Sequence, residues 1–92
     1  MKIVIDDIEY PISGYQRRYG NVQEGRNVRF EFSPDILDYD GLVSLASDHA
    51  GSDIKLVDGG GSEILTLELN SDFVVTESLR GDEFIIILDV SG

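Results

Sequence analysis

Apolar and polar residues alternate along much of this chain, which is the pattern of strands with one buried face. The clearest example covers 27–32, where Val28, Phe30 and Phe32 alternate with polar neighbours. Comparable runs predict strands over 2–5, 8–12, 53–57, 63–69, 73–77 and 84–88. The run 84–88 is apolar throughout, which predicts burial on both of its faces, either between helix and sheet or against another chain. Short connections between most of these segments favour antiparallel neighbours.

Only one segment has helical periodicity. Tyr39, Leu42, Val43 and Ala46 recur at the spacing of one helix face, with Leu45 beside them. Asp38 precedes this stripe and suits the N-cap, because its carboxylate can accept hydrogen bonds from free backbone N–H groups. Gly41 weakens the helix and Gly51 ends it. The sequence predicts a helix of about ten residues.

Residues 13–26 interrupt the alternation with three glycines and few aliphatic side chains. This composition predicts a long loop or a protruding hairpin that turns near Gly20 and Asn21. Pro11 cannot donate a ladder hydrogen bond, so the strand before the loop is expected at a sheet edge.

The predicted element order is therefore β-β-loop-β-α-β-β-β-β. It indicates one domain over residues 1–92, mainly β with one short helix (α+β). An antiparallel sheet, a small sandwich and an open barrel all fit this order. With 92 residues, one domain is the expected number.

Charge and composition narrow the class of function. The net charge is −11, so nucleic acid would repel the chain and is not an expected partner. Residues 1–30 sum to +1 and residues 31–92 to −12, an asymmetry that allows copies to attract one another or simply keeps the protein in solution. No cysteine is present, no signal-like stretch opens the sequence and no apolar run could span a membrane. We expect synthesis in the cytoplasm.

Three segments with superficial catalytic or metal-binding features do not support a site. His49 beside Asp48 suggests a general base, but a histidine at a helix C-terminus is more simply structural. The turn Asp58–Ser62 lacks the lysine and spacing of a phosphate loop and predicts a hairpin turn. Asp38, Asp40 and Gly41 resemble part of a calcium loop, but the positions that require the other ligands do not match. We expect no enzyme activity, cofactor or metal.

The segment Tyr15-Gln16-Arg17-Arg18-Tyr19 is the most informative stretch for function. Tyrosine and arginine are enriched at the centres of protein interfaces. Tyr15, Arg17, Arg18 and Tyr19 are therefore predicted to form an arm that docks on an acidic surface, such as that of a neighbouring copy. The receiving surface would include Asp35, Asp38 and Asp40. Alternatively, the segment is an ordinary hairpin whose tyrosines fold back on their own core.

The order of elements carries a resemblance. A strand, an acidic turn and a second strand open the chain (2–12), followed by the aromatic strand 28–32, the acid-capped helix at 39–43 and closing hairpins. This arrangement resembles small virion proteins of tailed phages and prophages, especially tail and baseplate components. The resemblance implies a β-rich subunit that assembles into a ring or docks on a larger tail protein, and carries over no functional residue.

Two functions follow as hypotheses. The first is a non-enzymatic assembly or protein-binding module, a phage or prophage particle component that acts through complementary surfaces and is a possible homo-oligomer. The second is an acidic inhibitor that mimics nucleic acid, or another regulatory binder. It would present the carboxylates of Asp35, Asp38, Asp40, Asp48, Asp53 and Asp58 on one face. Self-association favours the first, and salt-sensitive binding to a basic enzyme favours the second.

Overall fold

Two four-stranded antiparallel sheets and one helix form the fold in a computed structural model, which describes residues 1–19 and 26–91. In chain order the elements are β1 (Lys2–Ile5), β2 (Ile8–Pro11), β3 (Gly14–Tyr19), β4 (Arg26–Phe32), α1 (Tyr39–Asp48), β5 (Asp53–Val57), β6 (Glu63–Glu68), β7 (Val74–Arg80) and β8 (Glu83–Ser91). Sheet A has the strand order β2-β1-β5-β6, and sheet B has the order β3-β4-β8-β7. The predicted mainly β fold with one short helix is confirmed.

The core lies between the inward faces of the two sheets, as in a sandwich. Ile3 and Leu56 on sheet A and Phe30, Phe32 and Leu88 on sheet B are each 0% exposed. Burying a side chain of this size stabilises the fold by about 1.5–3 kcal/mol relative to exposure. Alternation in 27–32 was read correctly, because β4 turns its phenylalanines inward while Arg29 and Glu31 lie on the opposite face.

Helix α1 packs on β7 and β8. The Asp38 carboxylate caps it as predicted, with Oδ1 accepting from the Gly41 amide at 2.7 Å. Its buried side chains are Leu42, Leu45 and Ala46. Tyr39 was predicted on the same stripe, but it is 40% exposed because it lies in the first turn, at the rim of the core.

Strand β3 lies within the segment 13–26, for which the sequence predicts a loop or hairpin and no separate strand. Its register with β4 runs from Gly14 opposite Glu31 to Tyr19 opposite Arg26. Tyr15 packs against the core, and the rest of this edge strand is too polar to show an apolar face. The turn predicted near Gly20 lies outside the described residues.

Two turns fix the hairpin registers. Ile5 pairs with Ile8 across Asp6 and Asp7, whose φ angles of 50° and 67° fit the primed turns that two-residue hairpins prefer. The predicted turn over 79–82 is too long, because Leu79 and Arg80 still pair with Phe84 and Glu83. Gly81, at φ 63°, allows this tighter turn.

Strand β8 departs in part from the predicted burial on both faces. Ile86, Ile87 and Leu88 are buried. Ile87 is buried on the face opposite the core, between Glu31 and Thr76. Phe84 is 58% exposed, so burial between helix and sheet does not extend to that end of the strand, and burial there against another chain stays a prediction. Its neighbour across the ladder, Leu79, is 61% exposed. Pro11 lies on edge strand β2, as predicted.

The Asp6–Asp7 turn supplies a test of the fold. Asp7→Gly should raise the free energy of unfolding by about 0.5 kcal/mol, because glycine relieves the left-handed φ and loses only part of the gain to chain entropy. Urea unfolding measures the change. Asp72→Gly, at a turn residue without positive φ, is the control and should give no gain. A less stable Asp7→Gly protein would contradict this description of the turn.

Candidate functional site

A shallow groove of about 220 Å³ lies where the start of α1 meets the β7–β8 end of sheet B. Its lining consists of Pro34, Asp38, Tyr39, Glu77, Phe84 and Ile86. Leu79 extends the apolar surface, because it is the ladder partner of Phe84. Three of these large side chains, Tyr39, Leu79 and Phe84, expose 40%, 61% and 58% of their surface to solvent. A contiguous exposed apolar surface with a polar rim is typical of interaction sites.

Two carboxylates line this groove, and two more lie nearby in sequence. Asp38 and Glu77 line it directly. Asp35 precedes the helix and Asp40 lies in the first helical turn, and both are exposed. The three acidic residues predicted as a receiving surface, Asp35, Asp38 and Asp40, thus all belong to the segment that begins the helix. Anionic side chains there are also favoured by the helix dipole.

The predicted arm lies at the other side of the same sheet. Tyr15 and Arg17 are on β3, and β3 and β7 are opposite edges of sheet B. Tyr15 is half-buried against the core, as the hairpin interpretation expects for a tyrosine, and Arg17 is exposed. Arg18 and Tyr19 continue β3, but their side chains lie outside the described part of the chain. The described side chains of the arm, Tyr15 and Arg17, therefore do not meet the acidic surface within one copy.

Two arginine–carboxylate pairs cross the outer face of sheet B. Arg29 binds Asp89 through two hydrogen bonds of 3.1 and 3.2 Å. Arg80 on β7 reaches across β8 to Glu31 on β4, with hydrogen bonds of 3.1 and 2.7 Å. Glu31 is only 6% exposed, and its carboxylate raises the pKa of the Arg80 guanidinium through these bonds and through its charge.

Glycine at position 14 makes room for the Glu31 carboxylate. A Cβ atom there would lie 3.0 Å from Glu31 Oε1, which is tighter than ordinary packing. Ser13 binds the same residue from its backbone and its hydroxyl, both to the Glu31 carbonyl oxygen. The ion pair joins β4 to β7, and the Ser13 bonds join β4 to the residue before β3, so we assign Glu31 a structural role.

The general-base hypothesis requires His49 to pair with Asp48, but His49 binds Asp6 instead. Its Nδ1 lies 2.6 Å from Asp6 Oδ2, and Ser52 Oγ donates to the same oxygen at 2.9 Å. An ionised carboxylate only accepts, so Nδ1 carries the proton in this contact. In a nucleophilic triad the serine would bond to the histidine instead. The contact links the end of α1 to the β1–β2 turn.

The glycine turn at 58–62 also serves the fold. Asp58 Oδ1 accepts from the amides of Gly60 and Ser62, both at 2.9 Å. The turn's own carboxylate thus occupies the amides that a phosphate would need, and the predicted hairpin between β5 and β6 is confirmed. A wider hollow of about 610 Å³ lies beside this turn, between it and Met1, Lys2, Glu9 and Pro11.

Within residues 1–19 and 26–91, no group of three or more histidine or carboxylate side chains is placed to hold a metal ion. Over the same ranges, no helix has the length and hydropathy needed to cross a membrane.

The apolar part of the groove was missed by sequence analysis. Tyr39 and Phe84 fit apolar patterns that predict burial, and Leu79 was placed in a turn. One sequence feature could have indicated the exposed apolar surface: the segment 84–88 contains more apolar residues than a strand with one buried face requires.

The chain matches no protein-family model, no curated protein and no solved structure.

The His49–Asp6 contact predicts a dependence of stability on pH. Hydrogen bonds from His49 and Ser52 hold the pKa of the Asp6 carboxyl below its ordinary value of 3.8. A lowered pKa stabilises the fold above the unfolded-state value, and this contribution is lost as pH falls through the folded-state value. Below about pH 4, Asp6→Asn should therefore lose less stability than the wild type on further acidification.

Chemical denaturation at a series of pH values measures this difference. Asp7→Asn removes the same charge from the neighbouring residue without touching His49, and should follow the wild-type curve. Parallel acid profiles for Asp6→Asn and wild type would contradict the role given to the contact.

The Glu31–Arg80 pair predicts strong coupling between the two residues. Arg80→Ala should lower the urea midpoint, because it leaves a buried carboxylate without its partner. Adding Glu31→Gln should recover part of that loss, because a neutral amide is less costly to bury. A double-mutant cycle measures the coupling, and additive effects would show that the pair contributes nothing.

Proposed function

We propose that this chain is a non-enzymatic assembly module that binds protein through the groove and Leu79. The observation that carries the proposal is the exposure of Tyr39, Leu79 and Phe84 in one place. A domain this small has few large apolar side chains to spare from its core. Leaving an aromatic and a leucine exposed at one sheet end is costly for solubility, and burial in an interface removes that cost.

The chemistry of the groove indicates the type of partner surface. The groove is lined by apolar side chains together with Asp38 and Glu77, which suits a partner that combines an aliphatic or aromatic side chain with nearby cations. Binding would proceed by complementary shape and charge, without a chemical step. The resemblance to tail and baseplate proteins supports the same class of function, with the particle as the final location.

The acidic mimic is the second hypothesis, and the placement of its carboxylates favours it less. Asp58 is at the opposite end of β5 from Asp53, and its carboxylate is engaged in its own turn. Apolar side chains also lie among the remaining carboxylates near the helix start, whereas a mimic of the phosphate backbone needs charge rather than apolar surface.

A pair of variants tests the proposed function. Phe84→Ser and Leu79→Ser should each change the free energy of unfolding by no more than about 0.5 kcal/mol, because both side chains are exposed. In extracts of cells that naturally produce the chain, wild-type protein should sediment within a large assembly, and both variants should remain in the light fraction. Ile8→Ser, at an exposed isoleucine on β2, is the matched control and should sediment like wild type.

Two results would contradict the proposal. Strong destabilisation by Phe84→Ser would show that the groove serves the fold. Sedimentation of the two variants together with wild type would show that the groove does not dock.

A further inference from the structure

The two edges of sheet B run in directions that allow one copy to continue the sheet of another. All neighbours in the order β3-β4-β8-β7 are antiparallel, so β3 and β7 point in opposite directions. A second copy placed beside the first in the same orientation brings its β3 next to β7 of the first. The new pair is then antiparallel, and the core-facing sides of both sheets remain on the same side.

The lengths of the two strands, and the side of the sheet on which each residue lies, select one register for this contact. β3 has six residues and β7 has seven. Tyr15 and Arg17 are in register with the inward residues of β4, and Glu77 and Leu79 with those of β8. Directly opposed residues of an antiparallel pair lie on the same face. Full overlap of β3 with matched faces therefore places Tyr15 opposite Leu79 and Arg17 opposite Glu77.

Each of these pairs is chemically favourable. Arg17 and Glu77 are both exposed and have opposite charge. Tyr15 opposite Leu79 combines an aromatic with an aliphatic side chain, and it would cover a leucine that is 61% exposed in one copy. Such cross-strand pairs stabilise sheets. Neither pair was used to choose the register, so their agreement is independent support for it.

Other edge pairings are disfavoured. Two β7 strands in full antiparallel overlap would place Glu77 opposite Glu77, and like charges in that position repel. In sheet A, β2 has four residues and contains Pro11, which blunts an edge. The other edge of sheet A, β6, has Glu63 and Glu68 at its two ends. Within the described strands, β3 and β7 are the complementary pair.

We propose that β3 of one copy adds to β7 of the next, with Arg17 opposite Glu77, so that sheet B continues from copy to copy. The inference rests on the proposed assembly function and names a second copy of this chain as a partner. The contact is head-to-tail, so it produces a ring where the rotation between copies closes, and a filament where it does not.

Charge reversal tests the contact in the purified protein. Wild type should increase in mass with concentration by light scattering, and the increase should diminish with salt. Arg17→Glu alone and Glu77→Arg alone should each weaken association about 5- to 30-fold, because they place like charges opposite one another. The double variant, and an equimolar mixture of the two single variants, should recover association. Lys55→Glu and Glu68→Arg make the same charge changes on exposed residues of sheet A and should have no such effect.

Cysteine pairs test the register, since the chain has no cysteine of its own. The proposed register places Gln16 opposite Ser78, so Q16C/S78C should form a ladder of disulfide-linked copies on oxidation. Within one copy the two positions are three strand spacings apart, about 14 Å, too far for a disulfide to close. Q16C/T76C shifts the second cysteine by two residues on the same face and should link much less.

The outcomes separate this inference from the proposed function. Monomeric wild type at every concentration, charge variants that associate like wild type, or equal ladders from both cysteine pairs would overturn the strand contact. If the Phe84→Ser variant is nevertheless lost from the large assembly in extracts and sediments in the light fraction, the proposed docking function stands with a different partner. A ladder from Q16C/S78C together with recovery by charge exchange supports the contact.

Discussion

Burial of one apolar face from each sheet is the interaction on which the rest of the structure depends. Sheets A and B have four strands each, too few to close on themselves, so each must cover its inward face with the other, and α1 adds cover on β7 and β8. Among the described residues, the same arrangement leaves both sheets with open edges. The groove lies where the start of α1 meets β7 and β8, and Phe84 and its ladder partner Leu79 lie exposed there. Strands β7 and β8 thus contribute both to the core and to the candidate groove.

Features set by neighbours in sequence could be predicted, and features set by distant contacts could not. The inward residues of β4, the cap at Asp38 and the edge position of Pro11 depend on alternation, capping and a missing N–H group, which are all local. The status of β3 depends on pairing with β4, and the partner of His49 is 43 residues away. Such contacts leave no periodic trace in the sequence.

The candidate site shows the same division. Asp35, Asp38 and Asp40 were noticed because acidic residues around a helix start form a recognisable pattern. Phe84 and Tyr39 fit patterns that predict core residues, because apolar periodicity indicates which face of a strand or helix a residue occupies. It does not indicate how far along that face the neighbouring elements bury the side chains. Only the register of β7 with β8 shows that Leu79 and Phe84 lie opposite one another, next to the turn that joins these two strands.

The position of β8 has a consequence for how the chain folds. β8 lies between β4 and β7, and the Arg29–Asp89 pair joins residues 60 apart in sequence. The β3–β4 and β7–β8 hairpins can each form locally, but sheet B exists only when they meet. Loop-closure entropy opposes that encounter until the core contacts form, so we expect the docking of the two hairpins to limit the folding rate. Before it, β4 has no partner on its β8 side and carries Phe30 and Phe32, so we expect the nascent chain to be most exposed to misassociation at that stage.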